Sequence, residues 1–300
     1  MTSNSHRVLK VYTRLRRYLA PLAIYLRRVP GLRWAVSAIE GRVLPDKPIE
    51  VGTIDGFRIF VDARDHAVAR ALISDGTWQR AEADVIRRVL APGDVAVDVG
   101  ANVGYLTGIM ADAVGRSGRV YAFEPEPTNY AMLQRTIDAN GWTQVRHHNV
   151  ALGRGRSELS LKIDPSNWGN HSLASDADRS GASVTVQVDS LDQLLADADL
   201  RRLKLIKVDV QGWEEHVLAG AQAAHGVKPM LLIEFYPIAL REAGSDPREF
   251  LHSLYGWGPV RLMHERSRQL YQATPTQVFD ACAESVHRQV DLLIGDHPRI

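Results

Sequence analysis

Residues 96–110 read AVDVGANVGYLTGIM, and the side chains there could do chemistry. Asp98 is a carboxylate inside an apolar run, Gly100 and Gly104 flank three residues, and an apolar helical pattern begins at once. A strand, a turn of bare backbone and a helix in that order form a crevice where a ligand can meet the chain. Phosphate is the first ligand such a turn suggests. The Walker pattern needs Lys then Ser or Thr after its last glycine, and here Tyr105 and Leu106 follow Gly104. The dinucleotide fingerprint, started at Gly100, needs glycines where Asn102 and Tyr105 stand. An acid just before the loop also disfavours phosphate. Both readings fail.

A ligand with a positive end suits Asp98 better. A second apolar run, VYAFE, puts Glu124 at its tip, where a carboxylate has lone pairs enough for both hydroxyls of a ribose. A third run ends HHNVAL, where Asn149 can face an adenine edge and Val150 and Leu152 offer apolar contact. A ribonucleoside with a cationic, unphosphorylated tail satisfies all three tips, which describes S-adenosylmethionine. Simpler roles stay open: Asp98 as a cap on local amides, Glu124 and Asn149 as turn residues.

These tips need a scaffold. Buried-strand patterns fall at 95–99, 119–123, 144–150, 204–208 and 230–235, and helical patterns near 103–114, 127–139, 190–198 and 213–223. Such alternation predicts a parallel sheet covered on both faces. Upstream, 51–63 predicts a hairpin turning at Asp55-Gly56, and 79–90 a helix. Residues 157–188 interrupt the alternation with extra strands around a polar loop. Beyond 245 the pattern predicts a helix at 247–255, strands at VRLMHE and LYQAT, a helix near 277–285 and a last strand, VDLLIGD.

VDVGANVGYLT, VYAFEPEPTNYAMLQRTIDANG, NVALG and LIKVDVQGWEEHVLAGA together resemble the successive motifs of the FkbM-type S-adenosylmethionine-dependent methyltransferases, over about 78–236. The resemblance implies a class I methyltransferase fold: a Rossmann-like α/β sandwich with a seven-stranded, mostly parallel sheet and its last strand antiparallel. It implies O-methylation of a hydroxyl on a sugar or polyketide. By the same resemblance Asp98, Gly100, Asn102 and Gly104 would hold the methionine part, Glu124 the ribose and Asn149 the adenine side. The motif after the fourth strand is similar to Lys-x-Asp-x-Glu-Gly-x-Glu, here Lys207, Asp209, Gln211, Gly212 and Glu214. Gln211 departs from it, standing where that motif has glutamate.

Methyl transfer to a hydroxyl needs alignment and a route for the proton, so a base or a metal is useful. Asp209 and Glu234 sit at adjacent strand ends as catalytic candidates. They could bind Mg2+, share a proton, or simply pair with Lys207. In NWGNHSL, residues 167–173, His171 is a candidate general base or a strand cap. Trp168 could stack on a sugar ring and Asn167 and Asn170 could bond hydroxyls. Of His147 and His148, alternation lets at most one reach the site.

Composition bounds the rest. Three hundred residues, 45% hydrophobic, can bury a substantial core. One cysteine, Cys282, excludes an intramolecular disulfide framework and a multi-cysteine zinc site. No run is long enough to span a bilayer and no signal-peptide pattern opens the chain, so the expected setting is soluble and cytoplasmic. The net charge of +1 conceals a basic arm, with eight Lys and Arg and no acid in residues 1–39. That arm reads as a helical cap, as a peripheral membrane contact or as a homodimer contact. The expected organisation is a basic helical segment and linker over 1–50, then a methyltransferase domain over 51–300 with an inserted acceptor loop near 157–188. The expected partner is a small-molecule or oligosaccharide acceptor, and no nucleic acid. A non-enzymatic binding protein using the arm, an amino-group methyltransferase and a dehydrogenase are weaker readings. The second lacks an Asn/Asp-Pro-Pro-aromatic segment, since DVQG stands there.

Overall fold

Five consecutive residues, Val95–Val99, four apolar and one acid, are all buried and form strand β3, as expected of a strand covered on both faces. It lies within an eight-stranded sheet seen in a computed structural model that describes residues 48–65, 67–164, 169, 171–173, 182–264, 267–298 and 300. The basic arm therefore lies outside the described residues, as do Asn167, Trp168 and Asn170.

The chain starts with the expected hairpin, β1 (Ile49–Gly52) and β2 (Arg58–Val61), whose turn is longer than the Asp-Gly pair alone. Helices α1 (Val68–Asp75) and α2 (Arg80–Val89) follow; α1 was not foreseen. Then come β3, α3 (Tyr105–Val114), β4 (Arg119–Phe123), α4 (Pro127–Asn140) and β5 (Val145–His148). The hairpin has its own sheet and docks on α4, where Thr136 Oγ1 and Asn140 Oδ1 accept from the N–H groups of Phe60 and Arg58. Short β6 (Ala151–Leu152) leaves the main sheet to join β7 (Ser157–Lys162), β8 (Ser172–Leu173) and β9 (Ser183–Asp189) in the order 6-9-7-8.

The expected helix at 190–198 is split into α5 (Leu191–Leu194) and α6 (Asp197–Leu200), which lead to β10 (Leu203–Val208). The expected helix at 213–223 is split too, into α7 (Glu214–Ala219) and α8 (Gln222–Val227). It breaks at Gly220, where a Cβ would come 1.9 Å from the Gly153 carbonyl oxygen. Close backbone contact there outweighs helical continuity. β11 (Met230–Phe235), α9 (Pro237–Glu242), α10 (Pro247–Leu254), β12 (Val260–His264), β13 (Gln269–Gln272), α11 (Pro275–Glu284) and β14 (Val290–Ile294) complete the chain.

The main sheet runs 13-12-14-11-10-3-4-5. Strands β5, β4, β3, β10 and β11 are parallel, and β14 inserts antiparallel between β11 and β12. That is the expected seven-stranded set with its last strand reversed. Antiparallel β13 adds an eighth strand at the edge.

Side-chain alternation divides the core. Val95, Val97, Ile206, Leu231 and Ile233 pack on one face, and Ala96, Val120, Ala122, Leu205 and Leu232 on the other with α2, α3 and α4. By the same period of two, Asp98, Lys207, Glu124 and Glu234 follow the second set toward the C-terminal ends of their strands. Four charged groups thus share one face at the sheet's open edge.

Candidate active site

A cavity of about 1280 Å³ opens over that edge. Its first half is built by the turn after β3. Gly100 (φ 78°) and Asn102 (φ 50°) are left-handed, and the amides of Gly100 and Ala101 both donate to the Phe123 carbonyl at 3.0 and 2.9 Å. Gly100 is required here, because a Cβ would come 2.0 Å from the Asp209 carbonyl oxygen. The two loops that frame the cavity therefore touch through backbone.

Glu124 is buried at the tip of β4. Its two oxygens accept from Asn102 N at 2.8 Å and Glu126 N at 3.0 Å, which leaves lone pairs for a ligand. Burial raises its pKa to about 7, against the lowering effect of those two backbone bonds. Val150, Ala151 and Leu152 add an apolar wall. A carboxylate with spare lone pairs beside an apolar wall fits a ribonucleoside.

Three expected ligand residues have other work. Asp98 is 0% exposed and does not line the cavity; it accepts from Thr107 Oγ1 at 2.6 Å and pairs with Lys207 Nζ at 3.2 Å. The register sets Asp98 directly opposite Lys207, so the carboxylate meets its partner inside the sheet face. Lys207 also donates to the carbonyls of Val99 and Gly100, at 3.2 and 2.7 Å, and so fastens the glycine turn. Burial pulls the Lys207 pKa down, but Asp98 and Asp209 outweigh it and leave it raised. Gly104 (φ 94°) packs against α4, where a Cβ would lie 2.7 Å from Leu133 Cδ1. Exposed Asn149 spends its amide on the carbonyls of Glu124 and Pro125, at 2.8 and 2.9 Å, and fixes the end of β4 rather than lining the cavity.

The second half holds Asp209, Gln211 and Glu234. Gln211 is left-handed (φ 55°), and its Nε2 donates to Asp209 Oδ1 at 2.8 Å and to Glu234 Oε2 at 2.7 Å. Gln79 Nε2 donates to the other Asp209 oxygen at 3.2 Å, and Gln289 Nε2 to the other Glu234 oxygen. Glu234 is 6% exposed, and its pKa is raised well above the usual range by burial, then by the charges of Asp209 and Asp291. Glu214 lies beneath, accepting from Val210 N and Gly212 N at 3.1 Å each and pinning the turn. Burial raises its pKa to about 7.

The expected Mg2+ site does not fit this donor set. The Gln211 amide fills the gap between the two carboxylates, and an N–H donor repels a cation. Among the described residues no group of three or more His, Cys, Asp or Glu could hold a metal.

His171 lines the cavity, but its Nδ1 accepts the Asp164 amide proton at 3.0 Å. Burial lowers its pKa, so the neutral ring carries its proton on Nε2. The free nitrogen then donates and does not take a proton. The general-base assignment of His171 is corrected on that ground. Neither strand histidine lines the cavity: His147 Nδ1 bonds Tyr130 Oη at 2.9 Å, and His148 stacks on Phe123.

The sequence reading missed Gln79, Gln289 and Tyr271, which come from α2's N-terminus, the segment before β14 and edge strand β13. No local pattern marks them. Lys207, named from the sequence as a pairing partner for Asp209 and Glu234, forms its ion pair with Asp98.

The strand order, the reversed strand set inside the edge and the crevice at the C-terminal ends of the parallel strands define a class I methyltransferase fold. The chain belongs to the FkbM methyltransferase family: the family's model, the methyltransferase FkbM domain, matches residues 98–258. Among curated proteins, Methyltransferase 1 of Beauveria bassiana is 33% identical over 147 residues, covering 43% of this chain and 59% of that protein. The hexuronic acid methyltransferase AglP of Haloferax volcanii is 28% identical over 176 residues, 57% of this chain and 66% of that one. The matches thus span less than two thirds of either relative. A solved methyltransferase FkbM from Methylobacillus flagellatus aligns with a TM-score of 0.43 and 18% identity, over 71% of this chain and 50% of that one.

Proposed function

We propose that this methyltransferase uses S-adenosylmethionine to methylate a hydroxyl of a carbohydrate or glycoside. The observation that carries the reading is one continuous cavity with Glu124 and an apolar wall in one half and Asp209 in the other. The hexuronic acid methyltransferase relative supports a sugar acceptor.

In this reading Glu124 accepts the ribose hydroxyls, Val150 and Leu152 face the adenine, and the Gly100–Asn102 backbone borders the methionine part. When bound, S-adenosylmethionine supplies an electrophilic methyl carbon on a positively charged sulfur. This chain's residues then have two tasks. They hold an acceptor oxygen in line with that carbon, opposite the sulfur, and they take its proton as the oxygen–carbon bond forms and the carbon–sulfur bond breaks, which leaves S-adenosylhomocysteine. Asp209 is the base, since each of its oxygens accepts one amide and keeps a lone pair. Glu234, whose pKa is raised by burial and by the neighbouring carboxylates, borders the acceptor opposite Asp209. His171 donates from Nε2 to an acceptor oxygen.

A second reading has its own support. Tyr271 is 44% exposed and Val286 is 90% exposed, and both line the cavity. This apolar rim suits a small molecule whose hydroxyl is carried on an apolar frame, such as a polyketide.

The test is calorimetric titration with S-adenosylhomocysteine, followed by methyl transfer from labelled S-adenosylmethionine to a panel of methyl glycosides. Asp209→Asn should keep the S-adenosylhomocysteine affinity and lower the transfer rate by about 10²–10⁴-fold. No binding of S-adenosylhomocysteine refutes the cofactor. Transfer at the wild-type rate in Asp209→Asn refutes the base.

A further inference from the structure

The second half of the cavity contains an alternating chain of three amides and two carboxylates: Gln79, Asp209, Gln211, Glu234 and Gln289. Every carboxylate oxygen in it accepts one amide N–H, and Gln211 is the only member that touches both acids. Its segment is held on two sides. Glu214 pins the amides of Val210 and Gly212, and a Cβ on Gly212 would come 2.5 Å from the Ala239 carbonyl. The backbone of Gln211 is left-handed, a conformation disfavoured for a side-chain-bearing residue, so the surrounding structure holds it there.

Two carboxylates converging on one point can hold a cation or share a proton. Here that position is taken by a neutral amide nitrogen whose two protons serve the two acids. We propose that Gln211 is a positioning residue standing in place of a divalent cation: its amide sets the spacing of Asp209 and Glu234 and makes proton acceptance at Asp209 independent of a metal. The inference deepens the functional reading, since it rests on Asp209 as the base. It also predicts a switch. Placing a carboxylate at 211 removes the donor and turns a third carboxylate toward the same point, which would turn the chain of amides into a metal site.

The experiment uses the full chain saturated with S-adenosylhomocysteine and Mn2+ as the probe, with free Mn2+ read by electron paramagnetic resonance. The wild-type chain should take up no stoichiometric Mn2+, and Gln211→Glu should bind one equivalent about tenfold or more tightly than any wild-type uptake. One equivalent bound by the wild type and lost in Asp209→Asn overturns the inference. So does a folded Gln211→Glu chain that gains no Mn2+.

A second variant decides the case if Gln211→Glu does not fold. Gln211→Met keeps the bulk and removes both hydrogen bonds. Without that donor nothing holds a proton-bearing nitrogen between the two acids, so Gln211→Met should also take up one equivalent of Mn2+ through Asp209 and Glu234. A folded Gln211→Met chain that takes up none means that Gln211 only fills space, and overturns the inference. These readouts do not depend on turnover. An active Asp209→Asn enzyme would remove the base assignment while the Mn2+ results for the residue-211 variants still stood.

Discussion

Gly100→Ala tests the contact that joins the two halves of the site. The added methyl would lie 2.0 Å from the Asp209 carbonyl oxygen and 3.1 Å from its carbon, at a residue whose φ is 78°. A left-handed alanine costs about 1–2 kcal/mol. The overlap demands a shift of roughly 1 Å, and forcing atoms into packed structure costs about 1–3 kcal/mol more. The obstructing atom is backbone and cannot turn aside, because Asp209 N bonds Val99 O at 3.2 Å and the next turn is pinned by Glu214. The expected loss is about 2–5 kcal/mol, measured by urea unfolding with the slope checked for two-state behaviour. The same shift parts the glycine turn from Asp209, so S-adenosylhomocysteine affinity should drop about tenfold or more, roughly 1.4 kcal/mol. Gly155→Ala is the control, since nothing lies within 4 Å of a Cβ there. Its effect should stay within about 0.5 kcal/mol. If Gly100→Ala costs no more than Gly155→Ala, the two loops do not meet through backbone at Gly100.

Two further outcomes follow from the charges on the open edge. Glu124, with its pKa raised to about 7, binds a ribose best when ionised. S-adenosylhomocysteine affinity should therefore weaken about tenfold from pH 8 to pH 6, and Glu124→Gln should abolish that dependence in calorimetry. For the unliganded fold the sign is opposite: a carboxylate raised by burial stabilises the folded state while protonated, and that contribution is lost as pH rises from the ordinary glutamate range through 7. Lys207→Met strands the fully buried Asp98 and should cost about 3–5 kcal/mol, with Asp98→Asn in the same chain recovering much of the loss in a double-mutant cycle. Additive losses would mean that the pair does not interact.

The relation between sequence and site is clearest at single residues. Glu124 was legible because it ends an apolar run, and the structure puts it in the cavity with lone pairs to spare. Asp98 was legible as a strand-end acid, but not its fate, because only the register of β3 against β10 shows that Lys207 lies opposite. His171 was legible as a loop histidine, and its tautomer was not, since that depends on the Asp164 amide that meets its ring. Gln211 stood out as a departure from its motif, while its two carboxylate partners required coordinates.

The order and type of the elements came from the chain itself: buried runs for strands, helical spacing for helices, and glycines where the backbone must turn left-handed. These are local properties, set by the period of side chains along a few residues. The tertiary structure alone decided that β14 inserts between β11 and β12, that Gln79 reaches Asp209 across 130 positions, and that Gln289 reaches Glu234 across 55. Such pairings depend on strand register and on loops brought together by packing. No local pattern encodes them, because their energy exists only once both partners are in place.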